Sequence, residues 1–244
     1  VSETTSAPQA SILIPVYNEE ILVTPAVEEL IEALAARLPD LSYEIIVAEN
    51  GSSDRTLELA YELEKRFDFV RAIRCPEPNY GAALKRAMLE ARGTYVLCDE
   101  IDICDVDFHA RALEILMADE ADMVIGSKAH ADAEDKRPLL RRTATLVLNG
   151  MLRVLLGFTG TDTHGLKAFQ RERLLPIVSQ CIVDKDIFAS EFVIRSERGS
   201  LRILEIPVAI EEKRPPSINL MKRVPHVLKS LVRLTWAIRV AGRS

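Results

Sequence analysis

The sequence predicts an α/β fold, a mainly parallel central sheet with helices on both faces, and three observations carry that expectation. Short apolar runs rich in β-branched residues recur between residues 10 and 126, each of buried-strand length. Amphipathic stretches of helical length separate them, which is the pattern of βαβ units. With 48% hydrophobic residues in 244, the chain can fill one large core.

Taken in order, Ser11–Tyr17 reads as a first strand, and the polar Asn18, Glu19 and Glu20 follow at once. Thr24 as N-cap and Pro25 at the first helical position open an amphipathic helix to about Leu38, which Pro39 stops. Glu44–Ala48 is a second strand ending in the polar run Glu49–Asp54, and Asp54 caps a helix to about Phe67. Val70–Arg74 is a third strand, followed by the loop Pro76–Gly81 and a helix to about Ala91. Thr94–Cys98 and Met123–Gly126 complete the reading as strands four and five. Open sheets of this kind bind ligands at the carboxyl ends of their strands. Asn18–Glu19, Glu49–Asn50 and Asp99–Asp102 therefore share one edge by topology.

The fourth strand ends in an acidic run: Asp99, Glu100, Asp102, Asp105 and Asp107, with no Lys or Arg among them. Carboxylates this dense repel one another, and a hard cation, Mg2+ or Mn2+, bridging to phosphate oxygens would relieve them. A solvated acidic turn is the plainer reading. Asp105 and Asp107 suit the capping of a following helix.

Charge is divided unevenly. The net charge is −6, yet the eight basic residues from Lys213 onward have no acidic neighbours, which leaves −14 for residues 1–212. An acidic body argues against nucleic acid as a partner, and a basic tail favours an anionic surface such as a membrane. The cysteines at 75, 98, 104 and 181 form no metal-binding or disulfide pattern and suit a reducing cytoplasm. Residues 1–9 are polar without a signal-peptide pattern, and no run of 18 uncharged apolar residues predicts a membrane span.

Several motifs share an order and spacing: Pro15–Glu19, Glu49–Thr56, Asn79–Gly81, the acidic run after Val96-Leu97, Ile125–Lys128, Asp162–Lys167 and Glu205–Val208. Together they resemble a family 2 glycosyltransferase over about residues 10–220, in the pattern of the dolichol- and polyprenyl-phosphate sugar synthase branch. The resemblance implies a GT-A fold, a nucleotide-sugar donor, a divalent metal, and inversion at the anomeric carbon. It divides the chain into a polar segment 1–9, a GT-A domain 10–217 and a basic amphipathic helix 218–244.

On that resemblance Asp102 is the catalytic metal ligand, with Glu100 or Asp99 as the second carboxylate and Glu100 also near the ribose. Pro15, Tyr17, Glu19 and Glu49 line the nucleoside pocket, and Asn79, Gly81 and Lys85 the diphosphate side. A carboxylate at Glu49 serves a uracil N3–H singly or a guanine N–H pair doubly, so UDP and GDP both stay open. Lys128, Arg141, Arg142 and Thr145 match an acceptor-phosphate cradle. Asp162 orients the acceptor side of the sugar, and Glu191 is the fallback base.

A hydroxyl acceptor needs a general base, whereas a lipid phosphate is already anionic. The position near Glu191 lacks the Glu-Asp pair of hydroxyl-using relatives, so a polyprenyl phosphate is the expected acceptor. Transfer to a hydroxyl and a nucleotide-sugar-binding module without turnover are the alternatives. Leu220, Val224, Val227, Leu228, Leu231, Leu234 and Ile238 form an apolar stripe in the tail. It meets a membrane surface, which makes the protein cytoplasmic and peripheral at the inner face, or it packs on the domain or on a second subunit as in a homodimer. Arg214 and Ser217 match a loop that closes over the donor.

Overall fold

The structure is a computed structural model that describes residues 7–128, 130, 139–182, 185–209 and 220–239, with backbone alone at 139–141, 186 and 220–224. Arg214 and Ser217, and the side chain of Arg141, lie outside the described residues.

Five strands fall where the apolar runs are: β1 (Ala10–Val16), β2 (Tyr43–Asn50), β3 (Val70–Cys75), β4 (Tyr95–Cys98) and β5 (Met123–Ser127). Two more, β6 (Leu166–Gln170) and β7 (Ile203–Pro207), complete a seven-stranded sheet ordered β3-β2-β1-β4-β6-β5-β7. Pairing is parallel except at β6, which runs antiparallel to both β4 and β5. In sequence, residues 162–167 and 205–208 stand out as motifs and not as strands, because Lys167 interrupts the apolar run of β6 and β7 is a half-buried edge strand.

Both faces of the sheet are covered, so alternate side chains along each strand enter different cores. Ile12, Ile14, Ile45 and Val47 face helices α1 (Val23–Arg37), α2 (Thr56–Arg66) and α4 (Val106–Met117). Leu13, Ile46 and Ala48 face α3 (Tyr80–Glu90), α5 (Leu139–Leu156), α6 (Arg171–Gln180), α7 (Phe188–Arg198) and α8 (Leu220–Arg239). This two-sided burial is why the strands read as unbroken apolar runs.

Two helix starts differ from expectation. Helix α1 begins at Val23 with Leu22 as N-cap, because the amides of Leu22 and Val23 already turn back to Glu19 O at 2.9 and 2.8 Å. Thr24 and Pro25 thus lie inside the first turn, where proline's missing N–H costs nothing. Helix α2 begins at Thr56, and Asp54 Oδ1 accepts from its amide at 3.0 Å from one position further out.

Helix α8 is part of the same fold, not a detached tail. Leu231, Leu234 and Ile238 are buried in the core beneath β4, β5 and β6, each worth about 1.5–3 kcal/mol when fully covered. The part of the tail stripe whose side chains are described is therefore split, with Leu228 exposed and Val227, Leu231, Leu234 and Ile238 packed on the domain.

The far side of the sheet is locked by Asp122, just before β5. Its carboxylate accepts from Arg202 N at 2.7 Å and Arg202 Nη2 at 2.8 Å, and also pairs with Arg173 on α6. Hydrogen bonds from Arg202 hold this carboxyl well below the usual carboxylate range. A depressed acid contributes stability that is present above its unfolded value near 3.9 and is lost as pH falls toward the folded one. Asp122→Asn is expected to cost about 2 kcal/mol at neutral pH, a melting-temperature drop of roughly 4–8 °C. In thermal unfolding across pH, the gap between variant and parent should close below about pH 4.

Candidate active site

The loops leaving β1 and β2 are stitched together before any ligand arrives. Asn18 takes a left-handed backbone (φ 54°), donates its amide to Ser52 Oγ at 2.9 Å, and accepts from Ser53 N at 2.8 Å. Glu19 N donates to Thr56 Oγ1 at 2.7 Å, and Glu20 N to Asp54 Oδ2 at 3.2 Å. Gly51 (φ +69°) lies against Glu77 and Pro78, whose backbone atoms a Cβ would approach to 2.8 Å, so only glycine fits. Within this frame Pro15 is buried in β1, Tyr17 is exposed and Glu19 half-buried. Glu49, opposite Val16, is buried with one carboxylate oxygen, Oε1, accepting from Ser52 N.

The acidic run divides into residues facing inward and residues facing the strand-end edge. Asp99 Oδ1 accepts from Glu100 N at 2.7 Å, and Oδ2 lies 2.7 Å from His109 Nε2 on α4, both side chains being buried. Asp99 is thus turned into the protein, a correction to its candidacy as a metal ligand. Asp105 is the N-cap of α4, accepting from Phe108 N at 2.9 Å, and Asp107 pairs with Arg111 at 2.8 Å. Glu100 and Asp102 remain, half-buried.

Their surroundings are strongly charged. Burial raises the Glu100 carboxyl, the neighbouring Asp102 and Asp99 raise it further, and Lys128 and Lys167 oppose the rise. Lys167 projects from β6 opposite Cys98, is buried, and donates to Gly165 O at 2.7 Å. Burial lowers its ammonium, while Cys98, Asp162 and Glu100 pull it back up. Burial pushes the Cys98 thiol up to about 12. The Tyr80 hydroxyl end is also raised by burial and by Glu100, Cys98 and Asp99, although the residue as a whole is 41% exposed. Asp162 is fully buried; Oδ1 accepts from His164 N at 2.8 Å, and Oδ2 has no hydrogen-bond partner among the described residues. Glu205 holds the preceding residue, accepting from Thr161 N at 2.7 Å, and Thr161 Oγ1 meets Ser127 Oγ at 2.6 Å.

The structure thus gathers Glu100, Asp102, Lys128 and Asp162, and adds Lys167, Tyr80 and His109, which the sequence reading did not assign. Lys167 was within reach of it, through the spacing Asp162-x-x-Gly165-x-Lys167. Other expected residues have different tasks. Asn79 is the N-cap of α3, its Oδ1 accepting from Ala82 N at 3.0 Å and Lys185 N at 2.8 Å. Gly81 faces Lys185 and Phe188, where a Cβ would lie 2.6 Å from Phe188 Cβ, so its bareness admits protein and not ligand. Lys85 Nζ donates to Cys181 O at 2.5 Å, beyond the end of α6, which corrects its expected place at a diphosphate. Glu191 is 0% exposed, its oxygens accepting from Arg195 Nε at 2.7 Å and Ile182 N at 2.9 Å. That engagement corrects its expected role as a base. On α5, Arg142 is exposed and Thr145 half-buried.

Among the described residues no three His, Cys, Asp or Glu side chains converge as a ready metal cage. Glu100 and Asp102 fit a different arrangement, in which a hard cation takes one or two carboxylates and completes its shell with phosphate oxygens and water. Burial is the main reason the Glu100 carboxyl is raised, with Asp102 and Asp99 adding to it, and a bound cation would favour its charged form. A cleft lined by Gln9, Arg37, Leu41, Arg111 and Glu114 among others opens at the amino ends of β1 and β2 and takes no part in this site.

Comparison with known proteins agrees with this geometry. Residues 11–176 match the model of glycosyl transferase family 2. Glycosyltransferase AglD of Haloferax volcanii is 28% identical over 98% of this chain and 39% of its own length. Dolichyl-phosphate beta-glucosyltransferase ALG5C of Trichomonas vaginalis is 27% identical over 83% of the chain and 64% of its own length. The chain therefore spans between about two fifths and two thirds of these relatives. Glucosyl-3-phosphoglycerate synthase from Mycobacterium tuberculosis, solved with Mn2+, UDP and glucosyl-3-phosphoglycerate, shares the fold. Its TM-score is 0.65 at 18% identity, over 94% of this chain and 79% of that one. The strand order, the acidic edge after β4 and a family match across most of the chain lead to one assignment: the chain belongs to glycosyl transferase family 2.

Proposed function

We propose that this chain moves a hexose from a uridine diphosphate sugar to a polyprenyl phosphate, with inversion and with a divalent cation, at the cytoplasmic face of a membrane. The observation that carries the acceptor is Glu191: this carboxylate, the expected fallback base, is sealed in the core and held at both oxygens. A hydroxyl acceptor would need a general base, whereas a phosphate oxygen attacks as it stands. The relatives named as dolichyl-phosphate beta-glucosyltransferases support the same acceptor class.

In the reaction the acceptor phosphate oxygen bonds to the anomeric carbon from the side opposite the donor. The bond from that carbon to the β-phosphate oxygen breaks, and the nucleoside diphosphate leaves with the electron pair. Glu100 and Asp102 would hold Mg2+ or Mn2+, which supplies Lewis-acid stabilisation of the leaving diphosphate. Lys128 offers a compact positive charge to the acceptor phosphate, assisted by Arg142 and Thr145 from α5. Asp162, fixed through His164 N and Glu205, orients the sugar with its uncommitted Oδ2. Uracil is the base because Glu49 Oε1 is already taken by Ser52 N. The single remaining oxygen suits one imide N–H better than the paired donors of guanine.

Calorimetry with UDP- and GDP-sugars in the presence of Mn2+ is expected to show binding for the uridine series. Turnover should follow only when a polyprenyl phosphate is added. Asp102→Ala should lower turnover by at least about 100-fold, the scale of losing one transition-state electrostatic group. No binding of any nucleotide sugar would sink the reading; transfer to a hydroxyl acceptor alone would replace its second half.

Glu100→Gln offers a test by stability. An acid whose pKa is raised on folding makes the native state bind more protons than the unfolded one. Stability therefore falls as pH rises from the ordinary carboxylate value through the raised one. Without divalent cation, the variant should melt above the parent at pH 7 and match it in acid. With Mn2+ the parent should gain more than the variant, since the amide is a weaker ligand.

A further inference from the structure

The turn that carries Glu100 and Asp102 is closed at its two ends by one residue of α4. It leaves β4 at Asp99, whose amide donates to Leu13 O of β1 at 2.9 Å, and it enters α4 at Asp105. His109, one turn into that helix, touches both ends. Its amide donates to Asp105 O at 3.0 Å, and its Nε2 lies 2.7 Å from Asp99 Oδ2. Between these ends Glu100 O accepts from Ile103 N at 2.9 Å and from Cys104 N at 3.1 Å, and Cys104 takes a left-handed backbone (φ 46°). A residue with a Cβ holds that conformation only where its surroundings impose it. Fixed ends supply that constraint.

Stability alone does not account for the Asp99–His109 contact. Asp99 is 2% exposed and His109 1%, so both groups have given up water. The contact lacks the alignment of a full hydrogen bond, and Nδ1 of the ring has no partner among the described residues. Apolar side chains of similar volume commonly fill such a place with equal or greater stability, and an unpaired buried polar atom adds a cost of its own. What the contact does secure is the direction of the Asp99 carboxylate. Oδ2 is held toward α4, and Oδ1 is left to accept from Glu100 N at 2.7 Å, which fixes the first peptide unit of the turn.

We propose that His109 is a positioning residue for the cation and the diphosphate: it holds Asp99 inward, Asp99 holds the amide of Glu100, and the turn presents Glu100 and Asp102 at one fixed spacing. The inference rests on the reading of these two as the cation's carboxylates and extends it to a residue that touches neither ligand. Hard cations such as Mg2+ tolerate little variation in the placing of their oxygens, so a loosened turn weakens their hold. Groups that orient ligating side chains from behind commonly matter about 10–100-fold in metal affinity.

Three variants of the full chain separate position from stability, each followed by melting and by calorimetric titration of Mn2+ in the presence of UDP. His109→Phe leaves the Asp99 carboxylate without its contact and should lower Mn2+ affinity by at least about tenfold. Asp99→Leu combined with His109→Leu replaces the pair by apolar groups and should melt at or above the parent. It should nevertheless bind Mn2+ at least about tenfold more weakly. Asp99→Asn combined with His109→Gln keeps an acceptor for Glu100 N and a polar partner behind it, and should return affinity to the parent's range. In transfer assays the apolar double variant should show a raised KM for Mn2+ with a smaller change in kcat at saturating Mn2+. UDP binding without cation should be unchanged in all three, since Glu49 and its frame are untouched. Mn2+ affinity equal to the parent's in the apolar double variant overturns the inference, as does failure of the polar double variant, folded as the parent is, to restore binding. A parent that takes up no Mn2+ with UDP fails the cation reading itself, and the inference with it.

Discussion

The register between β4 and β6 sets the character of the site. Cys98, the last residue of β4, lies opposite Lys167 on the antiparallel β6, so a buried ammonium stands one residue from the start of the acidic run. Were β6 absent and β5 paired directly with β4, the carboxylates would follow a strand with no fixed cation beside it. With β6 in place, Glu100 feels Lys128 and Lys167 on one side and Asp102 and Asp99 on the other. Carboxylates and ammonium groups thus meet at one edge, and added cation and phosphate can each find a partner there.

Asp99 is the support on which that edge rests. A buried carboxylate is tolerated only when paired or hydrogen-bonded. Asp99 meets this through His109 and through the amide of Glu100, which aims the two following acids outward. One run of similar residues thus holds three tasks: an internal anchor at Asp99, a pair at the edge in Glu100 and Asp102, and a helix start at Asp105 and Asp107.

Much of the fold was legible because a two-sided sheet imposes continuous apolar runs, and β1 to β5 carry them. The strands β6 and β7 were not, since Lys167 breaks the apolar run of the first and the second is a half-buried edge strand. For the site, the carboxyl-edge rule brought Glu49, Glu100 and Asp102 into view without any contact being known. The resemblance also placed Lys85, Gly81 and Glu191 at the site, where packing gives them other partners in Cys181 O, Phe188 and Ile182 N. Residue type and spacing reveal what a side chain is able to do, and long-range packing decides whether it is already occupied. His109 illustrates the converse, since nothing local marks a histidine on α4 as the partner of the carboxylate at the end of β4.

The contact at Gly81 bears on how the protein moves. The α-carbon of Gly81 sits against Lys185 and Phe188, and Asn79 Oδ1 is shared between the first turn of α3 and the amide of Lys185. Phe188 Cβ and the backbone of Lys185 leave no room for a side chain at Gly81. The start of α3 and the turn into α7 are therefore held in direct contact, and any larger residue at this position would part them.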